Sequence, residues 1–397
     1  MNRNTIRSLL THLISALLIT AAAYLLSLLV YDMTSMSIFS SLEKSVDFEL
    51  SDVYNTVADR RAERHLSSDV VLVSVDECPR KRIAEVIDAI GFFGPAAVGL
   101  DIFFNYPGPD DDYLLEAIGS CSNLVLPVMV SDEGLQGSYF YALLDHPQLG
   151  AVNLGAGSVR DVVREFKPEF AAADGRRIGS LPAELVRAAR PEIFAALEAR
   201  RADTETIYYP STDFIILTAD EIISAEGVLQ PLAQRQIEGK IILVGNIFDI
   251  SDMHLTPLYS MSGLHIHAYT LQTILDGSYI PRTRAGLSWF YALAACFVVV
   301  LFGVWLRLLE PGSHGRLVRI LKMSDSLWLR IVQFSILCLL LVVGCRWFFL
   351  SGAYADFSHA LLLTGFATLA FDISTGLGLV KGVQTVMYKI IKPDKKP

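Results

Sequence analysis

The 397-residue chain is 52% hydrophobic and only 19% charged, with a mean hydropathy of +0.42, which excludes a wholly soluble enzyme and a disordered linker protein. The apolar surplus falls in four runs, 9–31, 287–306, 331–350 and 357–380, each close to the roughly 20 residues of a spanning helix, whereas an outer-membrane barrel would show alternating strands of about 10. Charge divides the chain as well: residues 32–286 carry 20 Lys and Arg against 37 Asp and Glu, and the remainder 13 against 5.

Arg3 and Arg7 precede the first run. Arg307, Arg316, Arg319, Lys322 and Arg330 lie between the second and third, and Lys381, Lys389, Lys392, Lys395 and Lys396 follow the fourth. The connection 351–356 has no basic residue. Short basic flanks stay on the cytoplasmic side. The expected organisation is therefore a cytoplasmic N-terminus and first transmembrane helix (1–31), an extracytoplasmic domain (32–286), a second helix (287–306), a cytoplasmic loop (307–330), two more helices (331–350 and 357–380) and a basic cytoplasmic tail (381–397). Trp289 and Trp305 bracket the second run and Trp328 and Trp347 the third, as an aromatic interfacial belt requires. The first run is too long for a cleaved signal peptide and "SLLVYDMTSMS" offers no small-x-small site, so it is expected to remain as an anchor.

In the acidic segment, Ser37 to His65 reads as a polar, helix-compatible stalk. "DVVLVSVDE" is a continuous β-branched run, the pattern of a strand buried on both faces. Residues 81–93 place Ile83, Val86, Ile87 and Ile90 at helical spacing, and Gly94-Pro95 stops that helix. "AAVGLDIFF", a short helix at "YLLEAIGS" and "NLVLPVMV" follow. Strands alternating with helices in this way imply an α/β domain with a largely parallel sheet and helices on both faces. "GAVNL" and "VVREFKPEF" read as edge strands, and "SLPAELVRAARPEIFAALEARR" as helical on both sides of Pro191. "TDFIILTADEIIS" and "PLAQRQIEG" lead into "KIILVGNIF", a second doubly buried strand, and "HIHAYTLQTILDGSYIP" into a helix ending at Gly277.

Several of these pieces in their order resemble the second type of CHASE domain, an extracytoplasmic sensory module found ahead of cyclases and histidine kinases. The resemblance covers roughly residues 69–281 and rests on "VVLVSVDE", "GP" before "AVGLDIFF", "PDDDYLLEAI" before "NLVLP", "HPQLGAVNL", "DGRRIGSLPAELVRAA", "GKIILVG", "DMHLTPL" and "GLHIHAYTLQTILDG". It implies a sensor framed by one span before and three after. Relatives continue into a cyclase, kinase or phosphatase where this sequence has 17 residues after the fourth run, so output is expected from another polypeptide. The turn "YSMSGLHIH" also departs from the family, which more often has an acidic residue at His265.

Candidate site residues follow from strand ends, because open α/β sheets bind ligands outside the carboxyl edge. Asp76, Asp101 and Asn246 terminate three predicted strands; Asn105 and Asp110 to Asp112 follow the second; Asp252, His254, His265 and His267 follow the last. If they converge, they suit a polar solute or a divalent cation; otherwise they are caps, turns and a core histidine. No metal is specified, no cofactor motif is present, and no zinc-protease helix, Cys-x-x-Cys or nucleophile elbow marks an enzyme. Cys78 and Cys121 are expected to stay unbridged, since one follows a strand and the other precedes one, at opposite edges of a parallel sheet. Asp372 is the intramembrane outlier and the candidate contact for a membrane partner. "HGRLVRILKM" and "YKIIKPDKK" suit membrane adhesion or partner docking.

Together these features describe a multi-pass protein of a bacterial inner membrane, with its large domain in the periplasm, that senses an outside condition and relays it to a separate signalling protein. The competing description is a non-sensing structural subunit of an envelope complex. Self-association is a further expected mode of contact, and nucleic acid is not, because it requires clustered Lys and Arg on the outer domain.

Overall fold

A computed structural model describes residues 3–34, 50–61, 63–144, 146–154, 162–280 and 285–308, short pieces between 331 and 344, residue 363, and 378–390. The chain divides into two compact units, Ser51–Pro281 and the two flanking parts taken together.

In the flanking unit, α1 (Arg3–Thr34) contains Ser8–Leu25, the one stretch among the described residues long and apolar enough to cross a membrane. Within the helix Ala285–Leu308, Trp289–Trp305 forms a shorter apolar stretch. Ala16, Ile19 and Ala23 pack with Cys296, Val300 and Val304, and Tyr24 meets Trp289 edge-on at 5.7 Å. Most of the third and fourth predicted spans, Asp372 included, lies outside the described residues. A helix, Leu379–Ile390, begins directly after Gly378, whose backbone is left-handed with φ of 69°. Glycine takes that backbone without strain.

The central unit begins at Ser51, within the segment read as a stalk. The second half of the expected stalk is a helix, α2 (Leu50–Arg61), bound to the domain. Asp52 receives two bonds of 2.8 Å from Arg164, Thr56 donates to the Pro257 carbonyl, and Asp59 accepts from the Ser211 amide. Polarity here serves specific ion pairs rather than solvation.

Next come β1 (His65–Ser74), α3 (Arg80–Phe92), β2 (Ala97–Asp101), α4 (Asp111–Ser120), β3 (Leu124–Ser131), β4 (Gly134–Gln136) and β5 (Gln148–Ala151). "VVREFKPEF" does not join the sheet as an edge. Pro168 interrupts it, so β6 (Glu165–Phe166) and β7 (Glu169–Ala171) pair outside the sheet with β9 (Glu205–Thr206) and β8 (Arg177–Gly179). Helices α5 (Leu181–Ala189) and α6 (Pro191–Arg200) meet at Pro191 as expected. The chain then returns through β10 (Thr212–Thr218), α7 (Ala219–Ile222), α8 (Pro231–Ile237) and β11 (Ile241–Gly245), to the ribbon β12 (Met253–His254) and β13 (Met261–Ser262) and helix α9 (Gly263–Asp276). The apolar helix Ala285–Leu308 is α10, and Leu379–Ile390 is α11.

Spatial order across the sheet is β10, β1, β11, β2, β3, β5, all parallel, with β4 antiparallel on β3. The strands with the most continuous apolar runs are central and buried on both faces, as parallel packing demands. β10, whose sequence "TDFIILT" is a β-branched and aromatic run, takes one edge, a position that local pattern does not set.

Two hydrophobic cores lie on opposite faces. Val71, Val73, Val98, Leu100, Ile242 and Val244 pack under α3, α4, α7 and α8. Val70, Leu72, Ala97, Ile241 and Leu243 pack under α5, α6 and α9. Cys78 and Cys121 are free thiols. Cys78 precedes α3, while Cys121 lies beside Gly91 near the other end of that helix, roughly 17 Å of helix away at 1.5 Å per residue.

Candidate functional site

Ser74, Gly245 and Asp101 stand in one row across the carboxyl edge, since Ser74 is the register partner of Gly245 and Gly245 of Asp101. Strand side chains alternate with period two, so in-register residues share a face and the next residues along take the other. Asp101 therefore shares the face of α9, and Val75, Ile102 and Asn246 take the face of α3.

On the α9 face Asp101 comes 3.9 Å from Nε2 of His267, with side chains 14% and 4% exposed. Asp252 arrives from the loop after β11. One of its oxygens lies 3.2 Å from His254 Nε2, and the other accepts the Gly263 amide at 2.9 Å, tying the loop to the first residue of α9. Ser262 caps the same helix, its hydroxyl contacting His265 Nδ1 at 2.9 Å. Gly245 lets α9 approach, because a Cβ there would stand 2.9 Å from Leu264 and 3.2 Å from the Asp101 carbonyl.

Burial dominates the electrostatics. It pushes the Asp101 carboxyl up to about 7, with Asp252 adding to the rise and His254 opposing it. It brings the His267 imidazole down to about 4, with Asp252 opposing the fall and His254 adding to it. Both shifts favour the neutral form, as desolvation of a charge requires. Burial also lowers His265. The set can hold and exchange one proton near neutrality.

The other predicted residues do different work. Asp76 accepts from the Ile247 and Phe248 amides at 3.0 to 3.1 Å and from the Ser74 hydroxyl, so it pins the loop after β11. Asn246 lines a cleft on the opposite face. Asn105 is exposed. Among the described residues no group of three or more His, Cys, Asp or Glu side chains is arranged to hold a metal ion, so the geometry gives no support to a divalent cation here. Sequence reasoning missed Ser262 and Gly245. A serine just ahead of an amphipathic helix is a cap signal, but no local signal marks the close approach at Gly245.

The central unit is thus a three-layer α/β domain with a buried acid and imidazole at the carboxyl edge of its sheet. A family model described as the CHASE2 domain matches residues 19–306, and the chain belongs to that family of extracellular sensory domains. No match was found among curated proteins or among solved structures.

Proposed function

We propose that the protein is a multi-pass inner-membrane sensor whose domain 32–286 lies in the periplasm and whose helices relay a signal to a separate partner protein. Family membership supports the sensory role, and a CHASE2 domain is not itself catalytic. The observation that carries the relay is the tie between Asp252 and the Gly263 amide. It couples the loop of the buried set to the start of α9, and α9 ends at Asp276, nine positions before α10 begins at Ala285. A solute or proton that rearranges the loop would therefore act on the helix leading into the apolar segment. A sensor of this kind works only if its ligand distinguishes two states.

Two experiments test the reading. A reporter fused after Pro397 should behave as cytoplasmic and one inserted near Gly134 as periplasmic; a periplasmic carboxy terminus would overturn the four-span topology. The tagged full chain should co-purify from membranes with a cyclase, kinase or phosphatase, and Asp372→Ala should reduce that recovery. Recovery of envelope-assembly proteins alone would replace the sensor with a structural subunit.

A further inference from the structure

On the sheet face opposite Asp101 and His267, a cleft of about 450 Å³ opens at the carboxyl ends of β1, β11 and β2. Its floor is apolar, formed by the buried Val75, Ile83 and Phe104. Its rim carries Glu77, Asp110 and Asn246. Glu77 and Asp110 both sit in left-handed backbone, with φ of 59° and 67°. Asp110 precedes α4 as its N-cap, yet its side chain makes no capping bond. Among the described residues neither carboxylate has a hydrogen bond or ion pair to the protein.

The cation in the wall is already neutralised. Arg80 pairs with Asp111, donates to the Tyr106 carbonyl at 2.6 Å and lies 5.3 Å from the Phe104 ring centre. Asp111 also accepts from the Gly108 amide at 2.7 Å and from the Tyr139 hydroxyl. Lys81, the next residue, sets its ammonium 5.3 Å from the Tyr113 ring. What remains is an apolar floor beneath two uncompensated negative charges and an amide.

We propose that this cleft binds a small organic cation, an ammonium group carried on an apolar body. The volume lies in the range of small-molecule sites, which combine apolar walls with a few placed polar groups. A carboxylate or phosphate would meet Glu77 and Asp110 at the rim. A bare metal ion would leave the apolar floor unused. The site lies apart from the Asp101 set, so its failure leaves the sensor reading standing.

The test uses the full chain in nanodiscs and three ligands with one body: benzylammonium, benzyl alcohol and benzoate, followed by calorimetry. Benzylammonium should saturate, with the alcohol and the carboxylate at least about tenfold weaker. Glu77→Gln and Asp110→Asn should each weaken it about three- to fivefold, the scale of partly screened ion pairs. Both residues are exposed, and asparagine tolerates left-handed backbone, so folding should survive. A diazirine derivative of the amine should label peptides containing residues 75–83 or 102–110. Equal binding of the three ligands, no saturation, affinity unchanged in both variants, or label elsewhere would each overturn the proposal.

Discussion

Asp101→Asn should make the protein more stable at pH 8 and bring little change at pH 4. In the folded chain this carboxyl titrates near 7, against an ordinary value of 3.8. Between those limits the folded state holds a proton that the unfolded state releases. The group's favourable contribution is thus full below the unfolded value and is lost as pH rises through the folded one. At about 1.4 kcal/mol per unit, the penalty removed by the amide is on the order of 4 kcal/mol at pH 8. His267 runs the opposite way: its depressed value of about 4 gives a contribution that is full above 6.5 and lost as pH falls through 4. His267→Gln should accordingly help most in acid. Thermal unfolding of the solubilised chain between pH 4 and 8 measures both. A loss of stability in Asp101→Asn at pH 8 would mean that the folded state does not penalise the ionised carboxylate, and would overturn this reading.

Gly150→Val should be among the most damaging single changes in the domain. A Cβ at Gly150 would lie 2.7 Å from the Leu181 Cα and 3.0 Å from Val125 Cγ1. Leu181 opens α5, which packs across β5, and a backbone atom cannot turn aside as a side-chain tip can. Forced overpacking of this kind costs roughly 1–3 kcal/mol or more, or about 2–12 °C in melting temperature for a domain of this size. Gly119 is the contrast. It lies in α4, is exposed, and a Cβ there meets nothing within 4 Å, so Gly119→Ala should stabilise by about 0.5–1 kcal/mol through helix propensity. Equal melting temperatures for Gly150→Val and wild type would show that α5 does not cross β5 as closely as described.

Much of the fold was legible before any coordinates. "VVLVSV", "AVGL" and "IILVG" are apolar without alternation because both faces of those strands are buried. The helices 80–92, 181–200 and 263–276 follow from their periodicity, and Gly277, with φ of 60°, closes the last. Apolar runs and charge asymmetry give the expectation of a membrane-linked chain because those are bulk properties, summed over many residues and indifferent to packing.

Pairing partners were not legible. That β11 lies between β1 and β2, and β10 outside β1, depends on contacts between residues more than 100 positions apart, which local pattern does not encode. This order decides which polar residues meet. The candidate strand-end residues looked equivalent in sequence, yet period-two alternation and register set Asp101 with His267 on one face and Asn246 on the other. Asp76 was diverted to the two amides of Ile247 and Phe248 in the loop after β11. Residue type determined what chemistry was available at the sheet edge. Only the tertiary structure decided which groups left water together, and burial, rather than residue type, is what moves the Asp101 proton toward neutral pH.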